Sequence, residues 1–197
     1  FIADYGNSCL RKIDISTGTV STIVSDINTI GIYTVAVDNN NNVYYSNLSG
    51  NTIYMYDQNT QAYGPVVGTG SPGWSGDGGQ AGNAQINYVS AIAFDKNNNM
   101  YFTESIISSG NRDIRRVDAK TGIITTVAGT GDLGNGGDGG PAINATFNNP
   151  TGLAIDSKGN ILIEDAGNMN IRIIDATTGI ISLFCYQGSF GIERIVT

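Results

Sequence analysis

Four side chains with oxygen ligands close short apolar runs along the chain: Asp4, Asn47, Glu104 and Asp165. Carboxylates and amides delivered from separate strand ends can hold a divalent cation or pass protons. The chain has no histidine, which removes Ser-His-Asp and Cys-His nucleophilic catalysis, His-ligated zinc and His acid–base chemistry. The acids also recur instead of specialising, whereas a catalytic constellation needs each group to play a different part. A loop-bonding role is therefore expected of them.

Other residues invite a chemical reading and have a plainer one beside it. Arg11, Arg115 and Arg172 each precede an acid by three residues (Asp14, Asp118, Asp175). A carboxylate-binding ring is one reading; repetition favours bonds to loop carbonyls or a neighbouring acid. The glycine-rich stretches Gly76–Gly79 and Gly136–Gly140 could cradle phosphate, but no Lys or Ser/Thr follows at the required spacing. Each holds a single acid, Asp77 or Asp138, and calcium needs six to eight oxygens. Compact loops are expected, and no cofactor or metal is assigned. Asn47-Leu-Ser49 and Asn144-Ala-Thr146 fit the N-glycosylation pattern. Cys9 and Cys185 could form one disulfide or remain separate thiols. Trp74 lies in a Gly/Ser loop, where plugging a blade junction is favoured over exposure for recognition.

The elements that position these residues repeat about every sixty positions. One unit reads Ala91-Ile-Ala-Phe-Asp95, Met100-Tyr-Phe-Thr-Glu104, Asp113-Ile-Arg115-Arg-Val-Asp118 and Thr121-Gly-Ile-Ile-Thr125. The next reads Gly152-Leu-Ala-Ile-Asp156, Ile161-Leu-Ile-Glu-Asp165, Asn170-Ile-Arg172-Ile-Ile-Asp175 and Thr178-Gly-Ile-Ile-Ser182. A looser unit begins at Thr34, and a truncated one opens at Phe1 in what aligns as a second strand. Each unit holds four β-forming runs separated by turn residues. Gly159 aligns with Asn41 and Asn98, residues suited to positive φ, and Asp-x-x-Thr-Gly marks the link between the third and fourth runs. Four strands per repeat predict an all-β β-propeller of four-stranded antiparallel blades. The single domain 1–197 divides into blades at 1–30, 31–87, 88–148 and 149–190, with a stub at 191–197. About four blade equivalents are present, read as a segment of a larger propeller.

The runs Thr126-Val-Ala-Gly-Thr-Gly131, Gly136-Gly-Asp-Gly-Gly-Pro-Ala142, Ala145-Thr-Phe-Asn-Asn-Pro150 and Ile171-Arg-Ile-Ile-Asp175 resemble the NHL-repeat family. They are most similar to an extended variant found in teneurin-like and bacterial surface proteins. A second copy runs Val67-Gly-Thr-Gly70 and Ser75-Gly-Asp-Gly-Gly79. The second unit departs from the pattern, with Tyr54 where the others have Arg and a short link at 25–31. The resemblance implies an extracellular or cell-surface protein.

The net charge of −7 and the lack of basic clusters argue against nucleic acid and anionic membrane surfaces. No apolar run approaches a membrane span. The expected function is a non-catalytic interaction or structural module that binds a protein or glycan partner, or assembles with copies of itself. The loops holding Trp74, Asp77, Ile106, Ile107 and Asp138 are the expected contact surface. The alternative is a propeller hydrolase or lyase with a divalent metal in the central channel.

Overall fold

The computed structural model describes residues 1–25, 31–47, 50–105 and 111–186. The expected contact residues Ile106 and Ile107 and the stub at 191–197 lie outside them. Among the described residues, fifteen short strands form four antiparallel meanders. The first holds β1 (Ile2–Asp4), β2 (Cys9–Ile13) and β3 (Val20–Ser25). The second holds β4 (Ile32–Val37), β5 (Val43–Asn47), β6 (Ile53–Tyr56) and β7 (Tyr63–Val67). The third holds β8 (Val89–Phe94), β9 (Met100–Glu104), β10 (Asp113–Val117) and β11 (Ile124–Ala128). The fourth holds β12 (Pro150–Ile155), β13 (Ile161–Asp165), β14 (Asn170–Ile174) and β15 (Ile181–Tyr186). This is the all-β blade architecture that the repeats predict.

Register explains why the first blade has three strands. Asp4 pairs with Cys9 across β1 and β2, as Asp165 pairs with Asn170 across β13 and β14. Strand β1 is thus a second strand. The first strands β4, β8 and β12 pack side by side and line the axis about which the blades fan. Each carries a bulge, placing Tyr33, Ser90 and Thr151 out of register with the second strand. Bulges re-aim side chains locally. Ser46 donates to the Val89 carbonyl of the next blade at 2.9 Å, and Ser90 donates to the Pro150 carbonyl at 3.0 Å.

The apolar core lies between blades, not within them. Leu10 and Val24 meet Ile32, Val43 and Tyr45 at the first junction. Ile53 and Val67 meet Ile86, Val89 and Phe102 at the second. Ile114 and Ala128 meet Phe147, Ile163 and Ile181 at the third. Alternation buries one set of side chains on each face of a blade, and each face meets a neighbour.

The glycine-rich loops cover sheet edges. Gly78 donates to the Ile124 carbonyl, Ile124 donates to Gly79, and Ala81 donates to Gly122. The loop therefore runs along the outer edge of β11. The loop at 139–142 repeats this along β15 through Ile181 and Gly179. An uncovered edge strand invites pairing with another chain. Gly76 and Gly137 take φ of 96° and 98°, and a Cβ there would meet the Cα of Ala84 or Ala145 at 2.7 or 2.6 Å. Only glycine allows that approach. Strand β7 closes the unit whose entry link is short, and it carries Pro65, which has no amide to offer a neighbour.

Candidate functional site: the loop face

The expected strand-end residues all sit on the face that carries the long inter-blade loops, but they do not converge. Asp4 accepts from Arg11 Nε at 2.6 Å and from Asn7. Glu104 accepts the Asn87 amide at 2.5 Å, and Asp165 accepts the Asn148 amide at 2.7 Å and the Asn168 side chain. Asn47 is buried at the end of β5. Each acid bonds within its own blade or its own entry loop. Among the described residues, no three His, Cys, Asp or Glu side chains are grouped to hold a metal ion.

The arginines act as clamps on the loops, bonding loop carbonyls and an acid as repetition favours, although the acid is not the one three residues on. Arg115 and Arg172 are fully buried. Arg115 donates to the carbonyls of Gln85 and Ser75 and to Asp77. Arg172 donates to the carbonyls of Thr146 and Gly136, both at 2.9 Å, and to Asp138. Asp118 pairs instead with Arg116. A register shift precedes each clamp arginine, between Ile114 and Arg115 and between Ile171 and Arg172. Where the entry loop is short, before the second blade, the arginine position holds Tyr54, stacked on Tyr45. The clamp and the loop it holds occur together.

Two of the expected contact residues are exposed and also hold their own loops. Asp77 and Asp138 spend their carboxylates on Arg115 and Arg172 inside the molecule, and Asp77 also takes the Thr126 amide on the edge strand β11. Burial raises the Asp77 pKa, but the Thr126 amide and Arg115 outweigh it and hold it below the ordinary carboxylate value. Cys9 and Cys185 are free thiols in the first and fourth blades, so the disulfide is not formed. Of the two sequon asparagines, Asn144 is exposed on a 3-10 turn. Asn47 is only 5 % exposed and does not present its amide to a glycosyl donor.

Trp74 is half exposed, not a buried plug. It borders a cavity of about 350 Å³ with Asn111, Arg112, Thr130, Asp132 and Leu133. Trp74 is 52 % exposed and Leu133 62 %, so two large apolar side chains flank a polar floor. Beneath Trp74 lies Asp113, which the strand-end pattern does not single out. Asp113 and Glu104 are paired across β10 and β9 and fully buried. Burial pushes Asp113 up to about 6, partly offset by Arg115; burial and the Asp113 charge push Glu104 well up. Each of the two buried carboxyls thus disfavours the charge of the other. The equivalent positions hold Asn170 and Cys9, and the second blade has Asn47 in place of the first acid, so among the described residues only the third blade sets two acids together here. The substitution is visible on aligning Asn111-Arg-Asp113 with Asn168-Met-Asn170.

The central channel offers a second concavity of about 440 Å³, bordered by Tyr33, Ser90, Thr151 and Glu164. Thr151 donates to Glu164 at 3.1 Å. Glu164 stands where the preceding blades have Ser46 and Thr103.

Repeated four-stranded meanders fanned about a channel define a β-propeller. The NHL repeat model matches residues 147–174, which run from the end of the last glycine-rich loop through β14. NHL repeat-containing protein 2 from Homo sapiens is 32 % identical over 126 residues, covering 64 % of this chain and 15 % of the relative. Its Gallus gallus counterpart is 34 % identical with the same coverage. These matches support the NHL β-propeller family, and the chain spans about 15 % of the length of the curated relatives it matches.

Among solved structures, a protein of unknown function from Bacteroides thetaiotaomicron superimposes with a TM-score of 0.72 at 20 % identity. That match covers 85 % of this chain and 42 % of the other. A gluconolactonase from Xanthomonas campestris gives 0.65 at 13 % identity, covering 91 % and 55 %. A nidogen/laminin complex gives 0.64 at 14 %, covering 94 % and 60 %. These likenesses show the fold, which hosts both enzymes and binding proteins.

Proposed function

We propose that this chain is a non-catalytic NHL-type propeller module that presents its loop face to a protein partner, or to a glycan, at the cell surface or outside the cell. One contrast carries the reading. The strand-end acids are consumed by bonds inside their own blades, while Trp74 and Leu133 stand open above them. Half-exposed aromatic and apolar side chains over a polar floor suit recognition. The laminin-associated propeller among the structural neighbours is consistent with such a role. The resemblance of the Gly136–Ala142 loop to teneurin-like and bacterial surface propellers supports the extracellular placement, as does the exposed Asn144 sequon. Assembly with further copies through the same face belongs to this reading.

The test places a photo-crosslinking benzoylphenylalanine at Leu133 and, as a control, at Lys120 on the opposite face, in the native full-length protein. Discrete adducts from position 133 that vanish in Trp74→Ala support the module. Equal labelling from both faces, or none, overturns it. So does lactone turnover that depends on an added divalent cation and is lost in Glu164→Gln, which would place a catalytic centre in the channel.

A further inference from the structure

The face opposite the long loops repeats one junction twice, and the two copies differ. Between the second and third blades, Asn98 closes the gap. Its Oδ1 accepts the Asn39 amide at 2.8 Å, and its Nδ2 donates to Asp38 at 3.2 Å. Asn39 in turn donates to the Asp95 carbonyl at 3.0 Å. Beneath it, Phe94 tilts onto Tyr44 with ring centroids 4.8 Å apart. The cavity left at this junction measures about 280 Å³.

Between the third and fourth blades, two of the three filling positions lose bulk and the third keeps its volume in a different shape. Asn98 becomes Gly159, Phe94 becomes Ile155 and Met100 becomes Ile161. Gly159 has neither the carbonyl nor the amide that bridges the other junction. The result is a cleft of about 550 Å³, roughly twice the size, floored by Tyr101, Val127, Ile155 and Ile161 and bordered by Lys96 and Lys158. Those two lysines stand where the second and third blades have Asn39 and Asn97. A Cβ at Gly159 has room, meeting only the Ala176 Cβ at 3.5 Å, although the φ of 91° would have to relax to seat a side chain. Asn41 and Asn98 adopt φ of 66° and 67° at the same turn position, so asparagine is compatible with it.

The charges at the cleft are unequally committed. Asp95 and Asp156 turn their carboxylates onto the amides of their own turns, at Asn97, Asn99, Lys158 and Asn160. Asp175 does the same with Thr177 and Thr178. Neither Lys96 nor Lys158 takes part in an ion pair among the described residues. The rim thus carries three carboxylates turned onto their own turn amides and two ammonium groups outside any ion pair, above an apolar floor, and the size of the cleft lies within the ordinary range for small-molecule sites.

The geometry points to a binding site, in the cleft between the third and fourth blades, for a small organic anion with an apolar ring and a carboxylate or sulfonate. The ring packs on Tyr101, Val127 and Ile155, and the anion lies toward Lys96 and Lys158. This site is on the face opposite Trp74 and stands independently of the loop-face reading.

The test titrates the intact chain with 8-anilinonaphthalene-1-sulfonate, following its fluorescence and the binding heat. Saturable binding at one site is expected. Gly159→Asn, which restores the asparagine of the other junction, weakens it at least tenfold with an unchanged circular dichroism spectrum. Lys96→Glu with Lys158→Glu weakens it about as much, while uncharged N-phenyl-1-naphthylamine binds both proteins equally. If Gly159→Asn fails to fold, Ile155→Phe fills the floor instead and gives the same loss. No saturable binding, or binding unchanged in a folded, filled variant, overturns the site.

Discussion

Asp113 shows how one residue can break the symmetry of a repeat at a cost to stability. A buried carboxyl beside another prefers its proton, and folding raises the pKa of Asp113 from 3.8 to about 6 and that of Glu104 as well. A group raised on folding stabilises the fold while it is protonated. That contribution is complete below about pH 4, where unfolded carboxyls also hold their protons, and it is lost as the pH climbs through about 6 and beyond. The groups facing the pair are Arg115 from the same strand, Asp77 from the entry loop and Trp74 above. Asp113→Asn reproduces the fourth blade, where Asn170 faces Asp165. It lets Glu104 ionise against Arg115 and removes the penalty. The expected outcome is a gain of about 2 kcal/mol at pH 7.5 and none near pH 4, read from melting curves across that range. A lower melting temperature at pH 7.5 would show that the carboxyl pair itself supports the blade.

At the scale of elements, turn chemistry decides much of the fold, and one turn is imperfect. The link between third and fourth strands needs a left-handed residue, supplied by Gly18, Gly122 and Gly179 at φ near 70°. The second blade places Gln61 there at φ 60°. A side chain in that region costs about 1–2 kcal/mol, against roughly 0.5–1 kcal/mol that glycine loses in chain entropy. Gln61→Gly is expected to add up to about 1 kcal/mol to urea stability, and a loss would mean that the Gln61 side chain makes a compensating contact. The strands and turns were legible because alternation and Gly/Asn placement are local properties. The clamps were not, because Arg115 meets Asp77 across 38 residues, a pairing that depends on a bulge and on how the loop folds back over β11. Repetition favoured loop carbonyls or a neighbouring acid, the kinds of partner the clamps do bond, but it did not name which ones. The cleft was half legible: Gly159 aligned with Asn98, but equivalence of turn conformation hid the loss of a bridging side chain.

For the whole molecule, the placement of the core determines how the blades depend on one another. Apolar clusters sit at the junctions and each blade contributes to the clusters on its two faces, so stability approximates a sum over neighbouring pairs. Ile86 and Phe147 occupy matched places in successive junctions, both fully buried. Phe147 also lies under Arg172, with the guanidinium 5.0 Å from the ring centroid, so its loss loosens both the core and the loop clamp. Phe147→Ala is expected to cost about 3–5 kcal/mol and Ile86→Ala about 2–5 kcal/mol. Because the two side chains belong to separate clusters, the double variant should lose the sum within about 0.5 kcal/mol. Amide exchange supplies the sharper measurement. Phe147→Ala should speed exchange in β12–β15 and along the loop at 136–142, while leaving β4–β7 close to the parent rate. Equal acceleration in all four blades would mean that the chain opens as one cooperative unit, and that the junctions are not the independent terms their separate cores imply.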